Sequence, residues 1–230
     1  MGTDNLHKRA KNKISRRKPT RPLNKVILIV CEGKKTEKNY FQRLKECLNL
    51  ISVSIEIFPS PHPTPLQVVK YAKQKAKEVG ECDEIYCVFD RDTHSDFNEA
   101  LPKAKKTKLK HTIFEAIVSD PCFEFWMLLH FTKITPNFSA SQSPCDALQK
   151  HKTFKQHLPN YDKSNYDFDG IIANRLNTAI KNANEINKTN LPTRQTPYIP
   201  KLLGLWRICK NWCKMIKFHK PKISANEIVL

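Results

Sequence analysis

The sequence predicts an α/β fold: a mainly parallel, four-stranded sheet flanked by helices and followed by a helical extension. Three features of the 230-residue chain carry this reading. Short apolar runs rich in β-branched residues recur at strand length, stretches with helical spacing separate them, and strand signals cease beyond about residue 138. Repeated strand and helix alternation implies right-handed crossovers and a sheet covered on both faces.

The first run, KVILIVC at Lys25–Cys31, is continuous in the manner of a central strand buried on both faces. Glu32 and Gly33 make a polar turn, after which Tyr40, Phe41, Leu44, Cys47 and Leu48 recur at helical spacing over residues 36–48. Val53, Ile55 and Ile57 alternate with Ser52, Ser54 and Glu56, as in a half-buried strand near a sheet edge. Thr64 then caps a helix with Pro65 at its first position and a stripe of Leu66, Val69, Ala72 and Ala76, ending near Gly80.

EIYCVFD, residues 84–90, is the third strand, followed by an acidic turn and a helix holding Phe97, Ala100 and Leu101. Residues 112–118 read as a fourth strand, and residues 123–131 as a buried helix with Ser119 or Asp120 at its N-cap and Pro121 at its first position. Beyond residue 138, Ile172, Leu176, Ala179, Ile180 and Ala183 mark one helix. Leu202, Leu205, Trp206, Cys209, Cys213 and Ile216 mark a last one. The implied organisation is a basic arm at 1–22, a catalytic domain at 23–137 and a helical extension at 138–230 packing on it.

A formal net charge of +18 makes a polyanion the first partner to consider. The excess is concentrated at the start, where Lys8, Arg9, Arg16, Arg17 and Lys18 belong to a basic stretch without an apolar run. Such a segment reads as a disordered arm that contacts phosphate or aids solubility, and it lacks the apolar centre of a secretory signal. No stretch approaches the ~20 apolar residues of a membrane span. The sequence predicts a soluble cytoplasmic protein whose cysteines, in apolar stretches, are free thiols. Their spacing lacks the paired clusters of a zinc site.

In a parallel sheet, ligands gather where strands end at their carboxyl edge. Glu32 ends the first strand, Asp90 ends the third and Asp92 follows in the turn. Oxygen donors at converging strand ends suit Mg²⁺, which keeps several waters. Gly33, one of five glycines, allows close approach of backbone or phosphate, and Lys34 and Lys35 bring cations to the same turn. A GxxxxGK[ST] loop is missing, which argues against a nucleoside triphosphatase. Glu124 lies in the first turn of the helix after the fourth strand, either as part of its N-terminal charge or as a further metal ligand. Arg91 reads as a structural ion-pair partner or a phosphate contact, His130 as a hydrogen-bonded core residue, and His94 as nearer the acidic turn. Trp206 and Trp212 read as packing residues, with base stacking as the alternative.

The combination of strand, Glu-Gly, helix and a later strand with Asp-x-Asp resembles the Toprim domain of primases, type II topoisomerases and OLD-type nucleases. A closer resemblance is to the RloB-like family, carried by ILIVCEGKKTEKNYF at 27–41, YCVFDRD at 86–92 and SDPCFEFWMLLHF at 119–131. It continues weakly through 165–183 and 191–203. The resemblance implies a Toprim-like, Rossmann-like core and a nuclease cutting DNA or RNA, tRNA among the candidates, in prokaryotic anti-phage defence of the abortive-infection kind. It leaves room for a controlling partner ATPase. It also implies that Glu32 moves protons while Asp90 and Asp92 hold Mg²⁺, for which Mn²⁺ can substitute. The alternative function is a nucleic-acid-binding effector whose pocket senses a ligand without turnover; oligomeric state is left open.

Overall fold

A computed structural model describes residues 25–48, 53–91, 94–134, 143–164 and 166–189. Four parallel strands, β1 (Lys25–Cys31), β2 (Val53–Pro59), β3 (Glu84–Asp90) and β4 (Ile113–Ser119), form one sheet in the order β2-β1-β3-β4. The α/β class and the parallel sheet expected from the sequence are present. β1 and β3 occupy the centre because their side chains are apolar at nearly every position, so both faces can be covered. The alternating β2 lies at an edge.

The chain leaves β1 in one direction to form β2 and crosses back over β1 to form β3. That reversal opens a crevice between the carboxyl ends of β1 and β3, the place where open α/β sheets take ligands.

Period-two alternation sends the central strands' side chains to two cores. On one face, Ile27, Ile29, Tyr86 and Val88 pack against α1 (Thr36–Leu48) and α4 (Phe123–Leu129). On the other, Leu28, Val30, Ile85, Cys87 and Phe89 pack against α2 (Pro65–Val79) and α3 (Phe97–Lys106). Three later helices, α5 (Pro144–Lys150), α6 (Lys152–His157) and α7 (Asp169–Thr189), add Leu148, Phe154, Ile172, Leu176 and Ala179 to the first core. Residues 143–189 therefore share the sheet's own hydrophobic core. Trp126, Phe123 and Phe125 lie fully buried within that shared core.

Several local expectations need correction. Thr64 precedes α2, but its hydroxyl donates to Asp96 Oδ2 at 2.7 Å instead of capping its own helix; the Leu66 amide reaches the same oxygen at 3.3 Å. A stronger acceptor from the turn before α3 has taken the capping role. Helix α4 starts after Cys122, which is extended, and not after Ser119 or Asp120. Asp120 is held by Arg91 (Nη1 to Oδ2, 3.1 Å), so its carboxylate serves that ion pair. Strand β4 ends at Ser119 and α4 at Leu129, each displaced slightly from the sequence reading. Cys47 is exposed because the buried stripe of α1 stops at Leu44. The short helices α5 and α6 carried no stripe long enough to read. The basic arm with Lys8, Arg9, Arg16, Arg17 and Lys18, and the last helix with Trp206 and Trp212, lie outside the described residues. Among the described residues no helix is long and apolar enough to cross a membrane.

Candidate active site

A cavity of ≈ 440 Å³ opens at the crevice between β1 and β3, lined by Glu32, Gly33, Lys34, Lys35, Glu37, Asp90, His94, Glu124 and Lys163. Its floor is built by strand ends. The Glu32 amide donates to Val88 O at 2.9 Å, continuing the β1–β3 ladder one residue past β1 and pinning the side chain at the switch point. Glu32 Oε2 then accepts the Asp90 N–H at 2.9 Å, while Oε1 lies 3.3 Å from His94 Nε2. One carboxylate thus bridges the ends of the two central strands.

Asp90 enters from β3. As a residue it is half-buried, yet its Oδ1 is sealed from solvent and has no hydrogen-bond partner. Burial, with the negative charges of Glu37, Glu124 and Glu32 around it, pushes its carboxyl well above the usual aspartate range.

Glu37, in the first turn of α1, is almost completely buried and folds back so that Oε1 accepts the Gly33 N–H at 3.3 Å. A Cβ on Gly33 would come within 2.0 Å of the Glu37 carboxylate, so a larger residue in this turn would displace that carboxylate. Burial, and beyond it the charge of Glu124, push Glu37 up to about 7 against the backbone amides of Glu37 and Gly33, which hold it down.

Glu124 completes the wall from α4. It is buried and accepts the Tyr161 hydroxyl at 2.7 Å, with Lys163 Nζ 3.4 Å away. Burial and the neighbouring Glu124 raise the Tyr161 phenol, so it stays protonated and donates. The same hydroxyl lies 3.0 Å from Thr36 Oγ1, and Lys35 donates to Ser164 Oγ at 2.6 Å. Residues 161–164 thereby tie the helical region to the turn after β1.

Of the residues singled out from sequence, Glu32, Gly33, Lys34, Lys35, Asp90 and Glu124 meet at this cavity. Arg91 turns elsewhere, pairing with Asp120 and lying 5.7 Å from the Phe97 ring centroid. Asp92 lies outside the described residues. His130 is fully buried in the core, where the Trp126 carbonyl fixes its Nδ1 and the Tyr40 hydroxyl its Nε2.

Sequence reasoning missed Glu37, Tyr161 and Lys163. Glu37 had a signal: it shares the stripe of Tyr40, Phe41 and Leu44 at helical spacing, and a carboxylate on an apolar stripe must have a reason to be there. Tyr161 and Lys163 stand in a loop with no periodic pattern, so only the fold brings them to Glu124.

Among the described residues, no group of three His, Cys, Asp or Glu side chains is arranged to enclose a metal ion. The donor set still fits a hard cation of the Mg²⁺ type, which is bound through one or two carboxylates while water and substrate oxygen supply the rest. The sealed, unpartnered Asp90 Oδ1 is the observation behind that fit.

No curated protein and no solved structure matches this chain. A family model does, the one described as RloB-like protein, over residues 27–217. That span takes in the sheet apart from the first two residues of β1, and all the residues around the cavity, and the chain belongs to the RloB-like protein family.

Proposed function

We propose that this protein is a divalent-cation-dependent phosphodiester hydrolase acting on nucleic acid, built on a Toprim-type core. The observation that supports it most directly is the gathering of Glu32, Glu37, Asp90 and Glu124 at one cavity, with an Asp90 oxygen left without a donor and Lys34, Lys35 and Lys163 at the same opening. Four acids in mutual range are costly to keep ionised unless a cation offsets them. The surrounding lysines attract a phosphate that the acids alone would repel.

In this reading Asp90 holds the ion together with Glu32, and Asp92, two positions further along the sequence, is a further ligand. Bound Mg²⁺ would offset the negative charge that grows on the phosphoryl oxygens during hydrolysis. Glu32, fixed by the Asp90 amide, orients water or carries a proton at its Oε1, beside His94. Glu124 is positioned in the cavity wall by Tyr161 and Lys163. Lys34 and Lys35 take the phosphate at the rim. A role in anti-phage defence, with a separate ATPase as controller, belongs to the same reading.

The test incubates purified protein with plasmid, single-stranded DNA, tRNA and rRNA, each with Mg²⁺, Mn²⁺ or EDTA. Cleavage that needs the metal is expected for at least one substrate. Glu32→Gln and Asp90→Asn should each lower it by about a hundredfold or more, as expected when a metal-site or proton-transfer group is lost. Wild-type rates in both folded variants would reject the site assignment.

A further inference from the structure

The helices on the second face of the sheet carry a different electrostatic feature. Lys73 and Lys77, one turn apart on α2, and Lys103 and Lys106 on α3 line a groove of ≈ 740 Å³ between the two helices, with Lys108 at its end. Glu99 is the one acid in this lining, and it is already engaged with Lys103 at 3.6 Å. Among the described residues, Lys73, Lys77, Lys106 and Lys108 make no ion pair.

Lysines in a helix's last turns ordinarily answer the negative end of its dipole. That explains Lys77 and Lys106 singly, but it does not require cations from two helices and the following loop to face one concavity. Like charges brought together in this way repel unless a polyanion neutralises them.

We propose that the α2–α3 groove binds the sugar–phosphate backbone of a polynucleotide, as an anchoring site separate from the acidic cavity. The lining contains no aromatic ring on which a base could stack, and no Asn, Gln or Arg to read base edges. Contact is therefore with phosphates and independent of sequence. The position of the groove adds a length requirement. Helix α2 leads into the start of β3 and α3 into the start of β4, so the groove sits towards the amino edge of the sheet. The cavity lies at the opposite, carboxyl edge, separated by a strand length of roughly 20 Å. At 3.4 Å per base pair, a duplex must exceed about six base pairs to reach both.

This inference rests on the nucleic-acid reading above for the identity of the polyanion. The test measures affinity for a duplex of about 30 base pairs in EDTA as salt is raised, for wild type and for the Lys73→Gln, Lys77→Gln, Lys106→Gln, Lys108→Gln combination. The slope of log affinity against log salt should fall by about 3 to 4, near one unit per lost phosphate contact. Thermal unfolding should come no earlier than in wild type, since the substitutions relieve mutual repulsion, and metal-dependent hydrolysis of a small phosphodiester, bis(p-nitrophenyl) phosphate, should match wild type. A second measurement needs no substitution: the duplex should protect these four lysines of the wild-type protein from acetylation. An unchanged slope, or equal acetylation with and without duplex, overturns the proposal. So does a variant that loses binding to phosphatidylglycerol vesicles while keeping its duplex slope, because the groove would then be a membrane contact. Hydrolysis missing from wild type while the slope still depends on the groove would defeat the catalytic reading and leave this one standing.

Discussion

His130 and Asp90 both hold a titratable atom out of reach of water, but His130 has both ring nitrogens satisfied while the sealed Oδ1 of Asp90 has no donor. The imidazole is neutral, since burial pushes it down to about 4, and in that form its Nδ1–H donates to the Trp126 carbonyl at 3.0 Å. Nε2 then accepts the Tyr40 hydroxyl at 3.1 Å. Burial acts on Asp90 in the opposite sense, raising its carboxyl, and three neighbouring carboxylates add to the shift. A group whose every valence is met contributes to stability, whereas one left unmet beside like charges is held in a costly state by the rest of the fold. The two therefore respond differently to removal.

Removing the satisfied member has the largest expected effect on the fold. His130→Ala empties a fully buried site and strands the Tyr40 hydroxyl, so chemical denaturation should show a loss of about 3 kcal/mol or more. Cleavage per folded molecule should be unchanged. Equal stability in the variant would mean that the Tyr40–His130–Trp126 chain is not a structural unit.

Asp90→Asn tests the other side and should give the next largest effect, with the reverse sign. Replacing the carboxyl by a neutral amide of nearly the same size lifts the repulsion from Glu37, Glu124 and Glu32. In EDTA at neutral pH the variant should unfold about 1 to 2 kcal/mol less readily than wild type, although cleavage is lost. A destabilised variant would show that Asp90 is integral to the fold.

The same contrast explains what the sequence made legible. The four strands could be read because continuous apolar runs have few other uses at that length, and Glu32 and Asp90 followed from standing immediately at their ends. His130 could be assigned to the core from its apolar helix alone. Contacts between segments distant in sequence could not be read. Tyr161 and Lys163 reach Glu124 from 37 and 39 positions away, and Asp96 caps the helix that begins 31 positions before it. The α2–α3 groove was hidden for a related reason. Lys73 and Lys103 stand 30 positions apart on two helices, and only the packing of α2 beside α3 brings them to one groove.

Glu37 and His130 also oppose each other in pH dependence, and this sharpens the comparison with the smallest change per step. The Glu37 pKa is raised from 4.5 to about 7 on folding, so the native state binds more protons than the unfolded state across that interval. Its contribution is fully present below pH 4.5 and is lost as pH rises towards 7. His130 is lowered from 6.5 to about 4, so there the unfolded state binds more protons and stability grows as pH rises from 4 to 6.5. Each group changes stability by at most about 1.4 kcal/mol per pH unit, and between pH 4.5 and 6.5 the two largely offset each other. Asp90, also raised, adds a falling limb of its own in this window, so in metal-free protein that carries Asp90→Asn, the further change Glu37→Gln should expose the histidine's rising limb, visible as a melting temperature that climbs steadily between pH 4.5 and 6.5. With Asp90→Asn alone the profile should be flatter there. Added Mg²⁺ should raise the wild-type melting temperature more as pH rises, because fewer protons then compete with the cation for the raised carboxyls of Glu37 and Asp90. A double-variant profile that follows Asp90→Asn alone at every pH would show that Glu37 titrates as an ordinary exposed glutamate, which its burial beneath Gly33 forbids.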